Sequence, residues 1–172
     1  EKYSLPSNFI LSLSTLEPRK NLRLLLDAAM ELFEEGVVEN IVLAGRKGWK
    51  MNDFLSGYQE EFLSHVYFTG FVDDEDLPAI YKMAKLFVFP SQYEGFGIPP
   101  LEAMACGTRV VSSDAASMPE ILEGAATYFK SESIDDLKNV LKKELGSVEE
   151  NNTCGERGMQ QAKKFNWRNE AE

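Results

Sequence analysis

Leu86-Phe87-Val88-Phe89-Pro90-Ser91-Gln92-Tyr93-Glu94-Gly95-Phe96-Gly97-Ile98-Pro99-Pro100-Leu101-Glu102-Ala103-Met104-Ala105-Cys106-Gly107 is the stretch that decides the fold. Its first four residues are apolar and read as a short strand buried on both faces. Its second half reads as a helix beginning at Pro99 and Pro100. The N–H groups that prolines lack have no intrahelical partner in a first turn, so nothing is lost there. Between strand and helix, Gly95 and Gly97 let the chain turn tightly and approach a ligand closely. A helix start offers free N–H donors and partial positive charge, which suits phosphate or another electron-rich oxygen. Glu94 and Glu102 flank this turn. Carboxylates repel phosphate but accept hydrogen bonds from hydroxyls, so the combination describes a ligand that is part phosphate and part sugar.

Working outward, the same alternation recurs. Residues 9–13 predict strand one, and Leu22, Leu25, Leu26, Ala29 and Phe33 a helix with Asn21 as its cap and Gly36 as its stop. Residues 40–44 predict strand two, 53–64 a helix, 66–70 strand three, and Leu77, Ile80, Tyr81 and Ala84 one face of a helix capped by Asp74 or Asp76. Residues 108–111 predict strand five, 119–122 a short helix and 126–129 strand six. Ser133 and Asp136 resemble a capping box for a helix to Leu145, and 155–165 a weaker helix after a polar loop. Strands alternating with helices imply right-handed crossovers and a doubly wound parallel α/β sheet, Rossmann-like, with ligands at the carboxyl ends of the strands where their order reverses.

The 172 residues suffice for one domain with a full core, and 44% hydrophobic content fits a globular protein. With 28 acidic against 18 basic residues, non-specific nucleic-acid binding is disfavoured. Cys106 and Cys154 have neither metal-ligand nor redox spacing and read as reduced thiols of a cytoplasmic protein. No apolar run approaches the ~20 residues that span a bilayer. The chain starts at Glu1 and ends within what reads as a truncated helix, so it is expected to be a fragment, residues 1–172 forming one domain. No Ser-His-Asp set, Cys-His pair, metal cluster, Walker loop or Gly-x-Gly-x-x-Gly fingerprint occurs, which argues against hydrolases, zinc enzymes, ordinary NTPases and NAD dehydrogenases.

The predicted strand-end loops carry the remaining candidates. Arg19, Lys20, Arg46, Lys47 and Lys50 concentrate basic charge after strands one and two, as a diphosphate would require. Lys20 reads as functional. Arg46, Lys47 and Lys50 read equally as phosphate ligands or as ordinary exposed charge. Glu102 alternatively complements the helix dipole, and Glu94 is alternatively a solvated loop residue. His65, the sole histidine, reads as structural, and Phe96 and Trp49 as packing residues.

The segments Thr15-Leu16-Glu17-Pro18-Arg19-Lys20-Asn21, Glu94 to Gly107 and Ser117-Met118-Pro119-Glu120 together resemble the C-terminal half of group-1 retaining glycosyltransferases, above all the mannosyltransferase type that builds O-antigens and related polysaccharides. The resemblance implies the donor half of a GT-B fold and retaining, metal-independent transfer from a GDP- or UDP-sugar, needing no cofactor. It implies that Lys20 and Arg19 hold the donor diphosphate, that Glu94 contacts the transferred sugar and that Glu102 takes the ribose hydroxyls. Backbone N–H groups at Gly95, Phe96, Gly97 and Ile98 would bind sugar and phosphate oxygens, and the backbone at Phe71 and Val72 the base. Where many relatives carry an Arg near the end of strand one, this chain has Ser14, and Arg19 is the implied substitute. A glycan or lipid-linked acceptor would be met through an absent N-terminal domain, with peripheral membrane contact by the longer protein. The competing readings are a non-catalytic nucleotide-sugar-binding or scaffold module, and a glycogen- or sucrose-synthase-like enzyme.

Overall fold

A computed structural model of the chain describes residues 2–15, 17–46, 54–147 and 151–165. All six predicted strands are present: β1 (Phe9–Leu13), β2 (Asn40–Ala44), β3 (Val66–Gly70), β4 (Leu86–Phe89), β5 (Val110–Ser113) and β6 (Ala126–Phe129). They form one sheet of order β3-β2-β1-β4-β5-β6 in which every pairing is parallel. Ile10 sits beside Ile41 on one side and Leu86 on the other, so the strand order reverses about β1. This is the doubly wound, Rossmann-like arrangement, and the loops leaving β1 and β4 part company at its switch point.

Alternation along the strands sends side chains to two apolar layers. Ile10, Ile41, Leu43, Leu86, Val88 and Val111 pack against α1 (Leu22–Glu34), α2 (Glu60–Leu63) and α6 (Ile134–Gly146). Phe9, Leu11, Val42, Ala44, Phe87, Phe89 and Val110 face the other way, against α3 (Leu77–Met83), α4 (Ile98–Ala105) and α5 (Met118–Leu122). A final helix, α7 (Asn151–Lys163), joins that second layer through Ala162. Among the described residues no helix is long and apolar enough to cross a membrane.

Several local expectations are corrected. Helix α7 starts at Asn151, so residues 151–153 are helical rather than loop, and its glycines are contact points. A Cβ on Gly155 would lie 2.8 Å from the Gly107 carbonyl oxygen, and one on Gly158 3.3 Å from Met104 Cγ, so their absence lets α7 lie against α4. The predicted helix over 53–64 is interrupted by a turn at residues 56–57 before α2. Strand β5 begins two residues later than expected, because Thr108 turns its hydroxyl onto the Tyr81 carbonyl at 2.7 Å. Asn21 precedes α1 in the left-handed region (φ 52°) but makes no side-chain cap. Asp76 precedes α3, yet its carboxylate accepts from Lys2 and Tyr3 instead of capping. Ser133 caps α6 as expected, while the Asp136 carboxylate accepts from the Lys130 N–H rather than closing a box.

A glycine at the site edge, set against one at the opposite edge of the sheet, shows how tightly the site is built. Gly36 ends α1 at φ 72° with open space around it, whereas a Cβ on Gly45 (φ 134°) would lie 2.1 Å from the Ser14 carbonyl oxygen. The ends of β1 and β2 touch there through backbone alone. Gly36→Ala should therefore cost about 1–2 kcal/mol, the penalty of a left-handed non-glycine residue. Gly45→Ala should cost about 3 kcal/mol or more, because overpacking against backbone adds to the strain. Urea unfolding of both variants checks this, and equal losses would contradict the close approach.

Candidate active site

Two loops meet where β1 and β4 diverge. The chain leaving β1 tightens into a 3₁₀ turn, Pro18–Lys20, before Asn21 launches α1. The chain leaving β4 is stitched to that turn by the Gln92 N–H, which donates to the Arg19 carbonyl at 3.0 Å, with the Ser91 hydroxyl oxygen 3.3 Å from the same carbonyl. This register brings the Lys20 ammonium onto Glu94 Oε1 in an ion pair, and the Ser91 hydroxyl donates to the same oxygen at 2.8 Å. The Lys20 and Glu94 side chains are only 12% and 14% exposed. Arg19 is more open, held by Glu17 at 2.8 Å, with its guanidinium 3.9 Å from Glu94 Oε2. Lys20 and Arg19, expected at the donor diphosphate, and Glu94, expected at the transferred sugar, thus form one cluster.

The start of α4 lies beside it. Gly97 adopts φ 67°, and a Cβ there would fall 2.7 Å from Met118 Cε, so α5 closes over the turn. No side chain caps the helix, and among the described residues nothing accepts from the N–H groups of Gly97 and Ile98. Pro99 and Pro100 have no N–H to offer, which leaves these preceding amides as the donors of the helix start. The Ser117 hydroxyl donates to the Gly95 carbonyl at 3.2 Å and the Ser113 hydroxyl to that of Ser91 at 2.6 Å, so the β5 end braces the glycine loop. Phe96 packs edge-on against Phe165, with ring centroids 5.6 Å apart, consistent with its reading as a packing residue.

Glu102 faces a different neighbour. Its Oε2 accepts from the Tyr81 hydroxyl of α3 at 2.9 Å. Burial pushes its carboxyl above the ordinary carboxylate range; the Tyr81 hydrogen bond pulls it down, and nearby Asp74 pushes it up. Beyond the ends of β2 and β3, the Arg46 guanidinium lies over the exposed Phe71 ring, 5.1 Å from its centroid, while Val72 is buried. Lys47, Trp49 and Lys50 lie outside the described residues. His65 precedes β3 at the opposite sheet edge, its ring 4.7 Å from Phe33 and its Nδ1 3.0 Å from Asn40 Oδ1. Among the described residues no three His, Cys, Asp or Glu side chains are grouped to hold a metal.

Ser91, Ser113, Ser117 and Tyr81 were not legible as site residues. Ser91 and Ser117 lie inside the quoted motifs and could have been asked what their hydroxyls hold, whereas Ser113 and Tyr81 read only as strand and helix face.

The sequence pattern that defines the glycosyl transferases group 1 family matches residues 2–161. The chain belongs to that family. It is 38% identical to the serotype-specific mannosyltransferase WbdA of Escherichia coli over 99% of its own length and 22% of WbdA. It is also 38% identical to the O-antigen chain mannosyltransferase B of Escherichia coli, over 98% of its length and 45% of that protein. This group 1 chain therefore spans between about a fifth and a half of these relatives. Sucrose-phosphate synthase from Thermosynechococcus elongatus superposes with a TM-score of 0.82 at 26% identity, over 95% of this chain and 43% of that one. The C-terminal domain of LpcC, a group 1 glycosyl transferase from Francisella tularensis, superposes at 0.77 and 19% identity, over 95% of this chain and 90% of that domain. HepE from Anabaena in complex with UDP superposes at 0.79 and 21% identity, over 92% and 44%. The fold is that of the C-terminal half of GT-B glycosyltransferases.

The environment of Glu102 has a consequence for stability. Its folded pKa lies above its unfolded value, so the ionised carboxylate costs stability at neutral pH, and the cost fades as pH falls through the folded pKa to the unfolded one. Glu102→Gln should therefore raise the melting temperature at pH 7, with the gain closing towards pH about 4. Thermal melts across that range check it, and a variant less stable than the parent at pH 7 would contradict the stated cause.

Proposed function

We propose that this domain binds the nucleoside-diphospho-sugar donor of a retaining, metal-independent hexosyltransferase. The observation that carries the reading is the Lys20–Glu94 ion pair, held by Ser91 beside the open start of α4 at the switch point of the sheet. Lys20, Arg19 and the α4 amides supply positive charge for a diphosphate. Glu94 accepts from hydroxyls of the transferred sugar, and Glu102 from those of the ribose. Arg46 and Phe71, with the backbone at Phe71 and Val72, flank the base, and Lys47, next in sequence to Arg46, adds positive charge for the diphosphate. The mannosyltransferase relatives support mannose as the transferred sugar; GDP-mannose is the proposed donor, with UDP-sugars as the alternative. The acceptor is a glycan or lipid-linked saccharide, contacted through a second, N-terminal domain of a longer enzyme that works at the cytoplasmic side of a membrane.

In the reaction the bond between sugar C1 and the β-phosphate oxygen breaks, and its electron pair stays on the nucleoside diphosphate. Lys20, Arg19 and the helix start stabilise that developing charge, which is greater in the transition state than in the bound donor. The acceptor hydroxyl oxygen bonds to C1 from the face the phosphate leaves, and its proton passes to the departing phosphate oxygen. The configuration at C1 is retained.

The likeness to sucrose-phosphate synthase favours a second reading, an enzyme passing a sugar to a small acceptor. The higher identity to the O-antigen mannosyltransferases outweighs it.

In the complete enzyme, Lys20→Ala should lower the rate of mannose transfer by about 10²-fold or more, the scale of losing one preorganised donor to developing charge. Glu94→Gln should impair transfer more than nucleotide binding. Steady-state transfer assays beside equilibrium titrations test both, and near-normal turnover of the Lys20 variant would overturn the assignment.

A further inference from the structure

Tyr81 is a fully buried aromatic residue on α3, 1% exposed, with its ring edge-on to Phe87 at 5.4 Å. A phenylalanine would fill the same space. A tyrosine in such a place carries a hydroxyl that is costly to bury unless it is paired, and here it donates to Glu102 Oε2. Burial holds the phenol far above its ordinary titration range, so at neutral pH the group is a donor. Its main chain is anchored as well, since the Tyr81 carbonyl accepts from the buried Thr108 hydroxyl and from the Ala84 N–H. The hydroxyl is therefore a fixed point against which the Glu102 side chain, itself partly in solvent, is set.

A glutamate carboxylate turns easily about its last torsion, whose wells are broad. One hydrogen bond to Oε2 selects the plane of the group and leaves Oε1 and further lone pairs to accept from a ligand. Two neighbouring hydroxyls on one ring match that arrangement, because each can donate to a separate carboxylate lone pair. We propose that Tyr81 is the positioning residue of the ribose subsite, fixing the Glu102 carboxylate for the 2′- and 3′-hydroxyls of the donor nucleotide. The inference rests on the donor-site reading and deepens it. Tyr81 touches no ligand; its contribution is that Glu102 is ordered before the nucleotide arrives.

The test is calorimetric titration of the 172-residue chain and of its Tyr81→Phe variant with GDP, UDP and ADP, then with the 2′,3′-dideoxy form of whichever nucleotide binds. The parent chain should favour the ribonucleotide. Tyr81→Phe should weaken ribonucleotide binding about five- to tenfold, the effect of losing one positioning hydrogen bond, and leave dideoxynucleotide binding unchanged. A second arm uses Glu102→Gln: once the carboxylate is gone, adding Tyr81→Phe should no longer alter the preference for ribose. If Tyr81→Phe weakens both nucleotide forms equally, or neither, or if the two substitutions act independently, the positioning role is overturned while the donor site stands. If the parent chain binds none of the nucleotides, the donor-site reading falls and this inference with it.

Discussion

An ammonium and a carboxylate, Lys20 and Glu94, are held together largely out of water at the point where β1 and β4 lead in opposite directions. Neither could be buried there alone, because an unpaired charge in that setting costs far more than the pair contributes. The pairing therefore requires the loops after two strands, 74 residues apart in sequence, to sit in a fixed register. The Gln92 N–H donating onto the Arg19 carbonyl supplies that register, and the serines on the β5 side hold the glycine loop from behind. Much of the polar detail at this edge follows from keeping one ion pair in place and still within reach of a ligand.

The same edge shows what the fold sacrifices for the site. Gly45 brings the β2 end against the β1 carbonyl, and Gly97 brings α5 over the α4 start, both at positive φ where other residues are strained. Ser12 Oγ, Ser14 Oγ and Asn21 Nδ2 are buried near the end of β1 without a hydrogen-bond partner among the described residues. Glu102 is kept in surroundings that disfavour its charge. Strain, polar atoms unpaired among the described residues and a carboxylate whose charge is disfavoured converge on one end of the sheet, which fits a surface shaped for binding rather than for stability.

Much of the fold was legible in the sequence. Apolar runs such as Ile41-Val42-Leu43 and Leu86-Phe87-Val88-Phe89 are so short and continuous that a doubly covered strand is the natural reading, and each is one. The errors fell where tertiary contact overrode local preference. The segment 155–165 read as a weaker helix, yet its Gly155 and Gly158 are the close approach of α7 to α4, and Asp76 read as a cap but was taken by Lys2 and Tyr3 across the fold. Within the site, Lys20, Glu94, Gly97 and Glu102 could be picked out because their residue types are chemically pointed and their spacing unusual. Tyr81 could not, because at helical spacing a buried tyrosine looks like any other core residue until its hydroxyl is seen on Glu102.

The central claim is that the paired Lys20 and Glu94 mark a site for a nucleoside diphosphate. The measurement that tests it most directly is titration of this chain with GDP, UDP and ADP at moderate ionic strength, with Lys20→Ala as its counterpart. The account predicts saturable binding of one of the three, abolished by the substitution. Binding that survives Lys20→Ala undiminished, or no binding of any of the three, would contradict it.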